Sequence, residues 1–324
     1  MGERNNDGGQ FFTPREVIRA VVKAIDPKIN ESVYDPGCGT GGFLAQSYEY
    51  MTGALEQNAT GDELSLLKTS TFYGREKENL IYPIALANMV LHGIDQPNIW
   101  HGNTLTRNEA SGDLFRDAPE LFDVIMTNPP FGGKEGADAQ DRYDYKTNAT
   151  TGLFLQEVID SLKNGGRAGM VIDEGSLFRA DRGLVQTRHK LIEECNLWCV
   201  VSLPAGAFLQ AGTGVKTNLI FFTKGSPTEK VWYYDLSGIE IKKNQLLTFS
   251  DFDEFFELLP IFGDSENSWT VTNQEIESNN YDLKAVNPHV KAVDIDPRST
   301  DELIDIIEEK GREIQDLLAG LRKL

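Results

Sequence analysis

Ser32-Val33-Tyr34-Asp35-Pro36-Gly37-Cys38-Gly39-Thr40-Gly41-Gly42-Phe43-Leu44 decides how this 324-residue chain folds. The first four residues read as a short strand and the last two as the opening of a helix. Four glycines in six positions lie between them and let backbone approach a ligand closely at a strand's carboxyl end. Alone, such a run is an ordinary strand-to-helix turn. No Lys-Ser/Thr pair follows the glycines, which disfavours a phosphate-binding loop. The acid at the strand end favours a cationic ligand such as an ammonium.

Downstream, residues 71–76 read as a second strand ending in Glu76. A carboxylate there is the standard grip of such folds on two ribose hydroxyls, although an isolated acid also suits a solvated surface. Its distance from the glycine run is long, which a polar excursion around Gly53 and Gly61 explains. Leu80, Ile84, Leu86, Ala87, Val90 and Leu91 then give a helix an apolar face, and residues 99–105 form a third strand and turn. His92 and His101 lack partners at ligand spacing and read as structural. Upstream, Thr13-Pro14-Arg15-Glu16 opens a helix, with Thr13 as N-cap, Pro14 at the first position and Glu16 completing a capping box.

The apolar run Phe122–Thr127 reads as a buried strand delivering Asn128-Pro129-Pro130-Phe131. Two prolines fix two φ angles and remove two donors, so the loop presents bare carbonyls beside an amide and a ring. Such an acceptor-lined slot suits a flat donor such as the exocyclic amine of a base; alone, it is also a plain Pro-rich turn. Residues 134–149 read as a charged loop, a mobile lid over the slot. A helix, a strand at 167–172, a helix at Arg182–Glu194 and strands at 197–203, 217–223 and 231–234 follow. Strands alternating with helices, then closely spaced strands, predict a mostly parallel α/β sheet with an antiparallel edge.

Composition is that of an ordinary soluble globular protein, 40% hydrophobic and 25% charged. No apolar run is long enough to cross a membrane, and the first residues lack the apolar core of a signal peptide. Cys38, Cys195 and Cys199 suit neither a disulfide framework nor a zinc site and read as reduced thiols of a cytoplasmic protein. The formal charge of −19 argues against a free-standing nucleic-acid binder, because non-specific affinity rests on Lys and Arg. Residues 299–324 read as a long helix whose Leu303, Ile307, Ile314, Leu317, Leu321 and Leu324 form a seam for a partner.

Taken in order, Gln10 to Pro14, residues 35–43, Glu76, Gly102-Asn103 and residues 128–131 resemble an S-adenosylmethionine-dependent DNA adenine-N6 methyltransferase with its cofactor half first. The longer runs at 9–16 and 35–43, with the segment 204–218, are similar to the modification (M) subunit of type I restriction-modification systems. The resemblance covers residues 9–225 well and the remainder loosely. It implies a Rossmann-like methyltransferase fold with a mostly parallel seven-stranded sheet, an antiparallel edge strand and a C-terminal helical extension. The implied division is a flexible stretch at 1–9, a catalytic domain at 10–235, an acidic irregular or helical extension at 236–297 and a partner-binding helix at 298–324.

The resemblance also implies roles. Asp35 and the loop of Gly37, Gly39, Thr40 and Gly41 would hold the methionine end of S-adenosyl-L-methionine, with Asp35 toward its ammonium and Thr13 toward its carboxylate, and Gln10 and Phe12 would also bind the cofactor. Glu76 would take both ribose hydroxyls and Asn103 the adenine edge, with Thr104 and Leu105 also cofactor-binding. Asn128 and Pro129 would accept both N–H bonds of an adenine amine, in a loop shaped by Pro130, and Phe131 would receive the flipped base. No metal is implied. DNA would be reached through an assembled complex with a specificity (S) and a restriction (R) subunit, the S subunit docking on the C-terminal helix. Two departures stand out: the helical domain that usually precedes the Gln10 stretch is missing here, and Asn103 replaces a commoner aspartate. The residues alone also allow a protein glutamine or an RNA base as acceptor, or an inactive assembly module. The DNA target stays unread, since its reader is another chain.

Overall fold

The computed structural model of the chain describes residues 12–54, 60–107, 109–111, 118–242, 244–289 and 310–312. Residues 1–287 form one compact unit; of a second, residues 288–324, only 288–289 and a helical turn at 310–312 are described. The rest of the expected C-terminal helix, with its seam, and Gln10 lie outside the described residues.

A single mixed sheet organises the first unit. Its strands are β1 (Val33–Asp35), β2 (Phe72–Glu76), β3 (Asn98–Gly102), β4 (Glu109–Ser111), β5 (Phe122–Thr127), β6 (Leu162–Asp173), β7 (Cys195–Ser202), β8 (Thr217–Lys224), β9 (Lys230–Asp235) and β10 (Ser268–Thr272). They lie in the order β10-β9-β7-β8-β6-β5-β1-β2-β3-β4. Strands β3, β2, β1, β5 and β6 run parallel, β8 runs against both β6 and β7, and β9 is again parallel to β7.

The α/β class, the mostly parallel sheet and an antiparallel edge are those expected; the strand count, and a further antiparallel strand inside the sheet, are not. Ten strands replace seven among the described residues, and β8 lies inside the sheet. The reason is legible in hindsight. Leu219-Ile220-Phe221-Phe222 is apolar without alternation and buried on both faces, the signature of an interior strand. The edges are β4 and β10, each antiparallel to its neighbour, and β10 exposes Thr270 and Thr272. Strand β10 lies beyond residue 235, yet it pairs with β9 in the same sheet.

Helices cover both faces. One core layer joins α1 (Arg15–Ile25), α2 (Gly42–Ala54), α3 (Gly61–Thr69) and α4 (Tyr82–Leu91) to the sheet, together with Phe252 of a 3-10 turn and Phe255 of α9 (Asp253–Leu258). The other lies under α5 (Ala137–Gln140), α6 (Thr150–Ser161), α7 (Glu174–Phe178), α8 (Arg182–Glu194) and α10 (Asn273–Ser278). The α1 end is tied to β6 by Arg167, which donates to the Ile25 and Asp26 carbonyls, each at 2.7 Å, and forks onto Glu31. That tether fixes α1, and so Thr13, against the sheet. Helix α4 is unlike its expected form: Ala85 and Met89 are buried, while Leu80, Ile84, Val90 and Leu91 are exposed. No described helix is long and apolar enough to cross a membrane.

Candidate active site

The crevice opens at the carboxyl ends of β1 and β5, where strand order reverses on either side of β1 and α/β sheets bind ligands. A cavity of about 890 Å³ is lined there by Thr13, the glycine loop, Asp35, Glu76, Asn103 and Asn128, among others. Five segments far apart in sequence thus meet at one cavity. Each arrives at the tip of a strand or the start of a helix.

The loop after β1 is shaped by its glycines. Gly41 has φ +80°, a left-handed value that a side chain rarely adopts, and its N–H donates to the Cys38 carbonyl at 2.7 Å. A Cβ on Gly37 would stand 3.4 Å from the ring of Phe154. The loop is also fastened from outside. Asn88 of α4 donates to the Thr40 carbonyl at 2.8 Å, Cys38 N–H donates to the Arg75 carbonyl, and the Thr104 hydroxyl donates to the Pro36 carbonyl. Thr104, expected against the cofactor, spends its hydroxyl on this bond and is buried. Leu105 belongs to the second core layer while still bordering the cavity.

Two buried carboxylates face the cavity. Asp35 accepts from the Gly37 N–H at 3.1 Å, and burial pushes its pKa up to about 7. The Thr127 hydroxyl and the Gly37 N–H pull it down, while the charge of Glu76 raises it further. Glu76 is likewise raised, first by burial, against backbone N–H groups that include that of Glu78 at 2.7 Å. Such an acidic, half-dry pocket is built for a cation and for hydroxyl donors. Asn103 holds its turn together, its Oδ1 accepting from the N–H of Leu105 at 2.9 Å and of Thr106 at 3.3 Å. Its amide nitrogen is what remains for a ligand, so the group offered here is a donor.

Asn128 gives its Nδ2 to the Thr13 hydroxyl at 2.9 Å, while its Oδ1 is buried without a hydrogen-bond partner. A buried bare acceptor costs about 1–3 kcal/mol and marks a place where a donor belongs. Pro129 is buried and Pro130 half-buried beside it. Phe131 is not the open aromatic wall its sequence suggests: it is 8% exposed, its ring edge-on to Phe208 at 6.0 Å, though it borders the cavity. Phe12 is 56% exposed at the cavity mouth.

Thr13 does not cap its helix. The N-cap position is Pro14, without a side-chain bond, and Glu16 pairs with Arg19. Residues 134–149 are no free lid either. Tyr143 Oη donates to Glu157 at 2.8 Å, Gln156 bonds the backbone of Tyr145 both ways, and buried Lys190 contacts Asp144 and Asp160 at 2.7 Å. Sequence reasoning missed Thr127, Asn88 and Phe154. Their partners lie far away along the chain, so no local pattern exposes them.

The N-6 DNA Methylase family model matches residues 2–296, and the chain belongs to that family. Among curated relatives it is 38% identical to the type I restriction enzyme EcoEI methylase subunit of Escherichia coli, over 98% of this chain and 65% of that protein. It is 32% identical to the EcoKI methylase subunit of E. coli K12, over 72% of this chain and 45% of that one. The chain thus spans less than two thirds of the length of these relatives. Among solved structures it superposes on a chain of a type I R-M system with TM-score 0.79 and 38% identity, covering 99% of this chain and 67% of that one. The EcoKI M protein follows with TM-score 0.75 and 25% identity, over 87% and 67%.

Proposed function

We propose that this chain carries the catalytic unit of a type I methylation subunit, transferring a methyl group from S-adenosyl-L-methionine to N6 of a flipped-out adenine in duplex DNA. The observation that carries the reading is the bare Asn128 Oδ1 at the tip of β5, in the cavity that the glycine loop, Asp35 and Glu76 share.

The residues present fit the cofactor. Asp35 suits its ammonium, the Gly37–Gly41 backbone leaves room for its methionine end, Glu76 suits two ribose hydroxyls, and the Asn103 amide suits an acceptor on its adenine edge. Gln10 and Phe12 belong to the same site by family likeness, while the Thr13 hydroxyl is turned to Asn128. When bound, the cofactor supplies an electrophilic methyl on a sulfonium, a leaving group already activated.

What the adenine amine lacks is nucleophilicity, because its lone pair is delocalised into the ring. Asn128 Oδ1 and the Pro129 carbonyl accept its two N–H bonds, favouring a pyramidal nitrogen whose lone pair points away from them. Prolines at 129 and 130 leave no N–H to compete for those acceptors. Phe131, braced by Phe208, meets the base after it leaves the stack.

A chain of charge −19 needs help to hold DNA. Most phosphate contacts are therefore assigned to the specificity and restriction subunits, with residues 298–324 as the docking helix for the former. The test is transfer of labelled methyl by the protein assembled with its specificity subunit, offered duplex DNA, RNA and protein. Label in DNA is expected; label in RNA or protein alone would replace this reading.

A further inference from the structure

We propose that Thr13 is a positioning residue for Asn128, anchoring its side-chain amide at the substrate slot. This deepens the reading above and rests on it. An asparagine amide has an oxygen on one side and an NH2 on the other, and a half-turn exchanges them with little change in shape. The slot works one way round only: an incoming amine selects the oxygen, and the Thr13 hydroxyl, which can accept as well as donate, then holds the NH2 end.

The Thr13 hydroxyl, 2.9 Å from Nδ2, is the hydrogen-bond partner the amide has. Taking Nδ2 leaves Oδ1 facing the other way, buried and unpartnered. Thr13 is available for this because Pro14, not Thr13, occupies the N-cap of α1, with no side-chain cap bond. Its position is held from the far end of the same helix by the Arg167 tether to the Ile25 and Asp26 carbonyls. The helix thus serves as a rigid arm that anchors a side chain just beyond β5, 115 residues away in sequence.

The test separates this role from a cofactor contact. In the assembled protein, Thr13→Val should lower kcat about tenfold, the net worth of one hydrogen bond, with S-adenosylmethionine Kd within about twofold by calorimetry. Thr13→Ser, which keeps the hydroxyl, should restore most of the turnover; Thr13→Ala replaces the valine variant should that one not fold. Selective 15N-asparagine labelling gives a readout free of activity. The Asn128 NH2 signal, assigned by its loss in Asn128→Asp, should be single in the wild type and broadened or doubled in Thr13→Val. Wild-type turnover in Thr13→Val, a rise in Kd with kcat unchanged, or failure of Thr13→Ser to rescue would each overturn the proposal. A wild-type protein that methylates no adenine would instead sink the reading beneath it, while the NMR signal would still report on the hydrogen bond.

Discussion

Asp35 and Glu76, at the ends of neighbouring parallel strands, are buried carboxylates close enough for the charge of Glu76 to raise the Asp35 pKa. Without a cation between them, each makes the other harder to ionise. Asp35 is pushed to about 7, burial being the largest cause. Binding an ammonium requires the ionised form, so a proton must leave before the ligand enters below that value. Cofactor affinity should therefore rise between pH 5.5 and 7.5, by up to roughly tenfold per unit, and level off above. Calorimetry in buffers of different ionisation enthalpy should detect proton release near pH 6. An affinity flat across that range would remove Asp35 from the ammonium site.

The same pKa fixes the sign of a stability effect. A carboxyl raised from 3.8 to about 7 contributes stability that is complete below pH 4 and is lost as pH rises through 7. Asp35→Asn should then stabilise the ligand-free protein by about 2 kcal/mol at pH 8, and by less at pH 5, while destroying cofactor binding. Thermal unfolding at the two pH values checks it. A loss of stability at pH 8 would contradict the burial argument.

Glu76→Ala should weaken cofactor binding by about 1.5–3 kcal/mol, the range for hydrogen bonds to a charged group. Asp35 should become easier to ionise in this variant, since a cause of its raised pKa is gone. Titration calorimetry measures both effects, the second as a shift of the pH midpoint. Unchanged affinity would take Glu76 out of the site.

The anchored segment 134–149 depends on close backbone packing. A Cβ on Gly183 would lie 2.2 Å from the Lys146 carbonyl oxygen, a contact with no flexible end to yield. Gly183→Ala should cost about 1–3 kcal/mol and speed proteolytic cleavage within 134–149, whereas Gly53→Ala, with open space around it, should not. Equal proteolysis of the two variants would show that the segment is not held there.

Much of this was legible in the sequence where local pattern and chemistry coincide. The run at 32–44 read as strand, turn and helix because glycines interrupt two periodicities, and α8 took its expected bounds behind the Asp181 cap. The acids and the amide at strand ends met in one crevice because parallel strands bring their carboxyl ends together. What stayed hidden is non-local or edge-like. The interior place of β8 depends on which strands return beside it, and β10 is a five-residue edge strand with little apolar alternation. Thr13 satisfied every local rule for a cap, yet its hydroxyl bonds the Asn128 amide just beyond β5. Leu80 and Leu91 keep helical spacing without burial, since periodicity reports a face and not what covers it.

The most direct measurement is nucleoside analysis of duplex DNA after incubation with S-adenosylmethionine and the assembled protein, for the wild type and for Asn128→Ala, with cofactor affinity measured in parallel. The wild type should yield N6-methyladenine as its product. Asn128→Ala should yield less than about a hundredth as much per unit time, a barrier rise above about 2.7 kcal/mol, with cofactor affinity nearly intact. Methylation at another atom by the wild type, or Asn128→Ala turnover above about a tenth of it, would contradict the account.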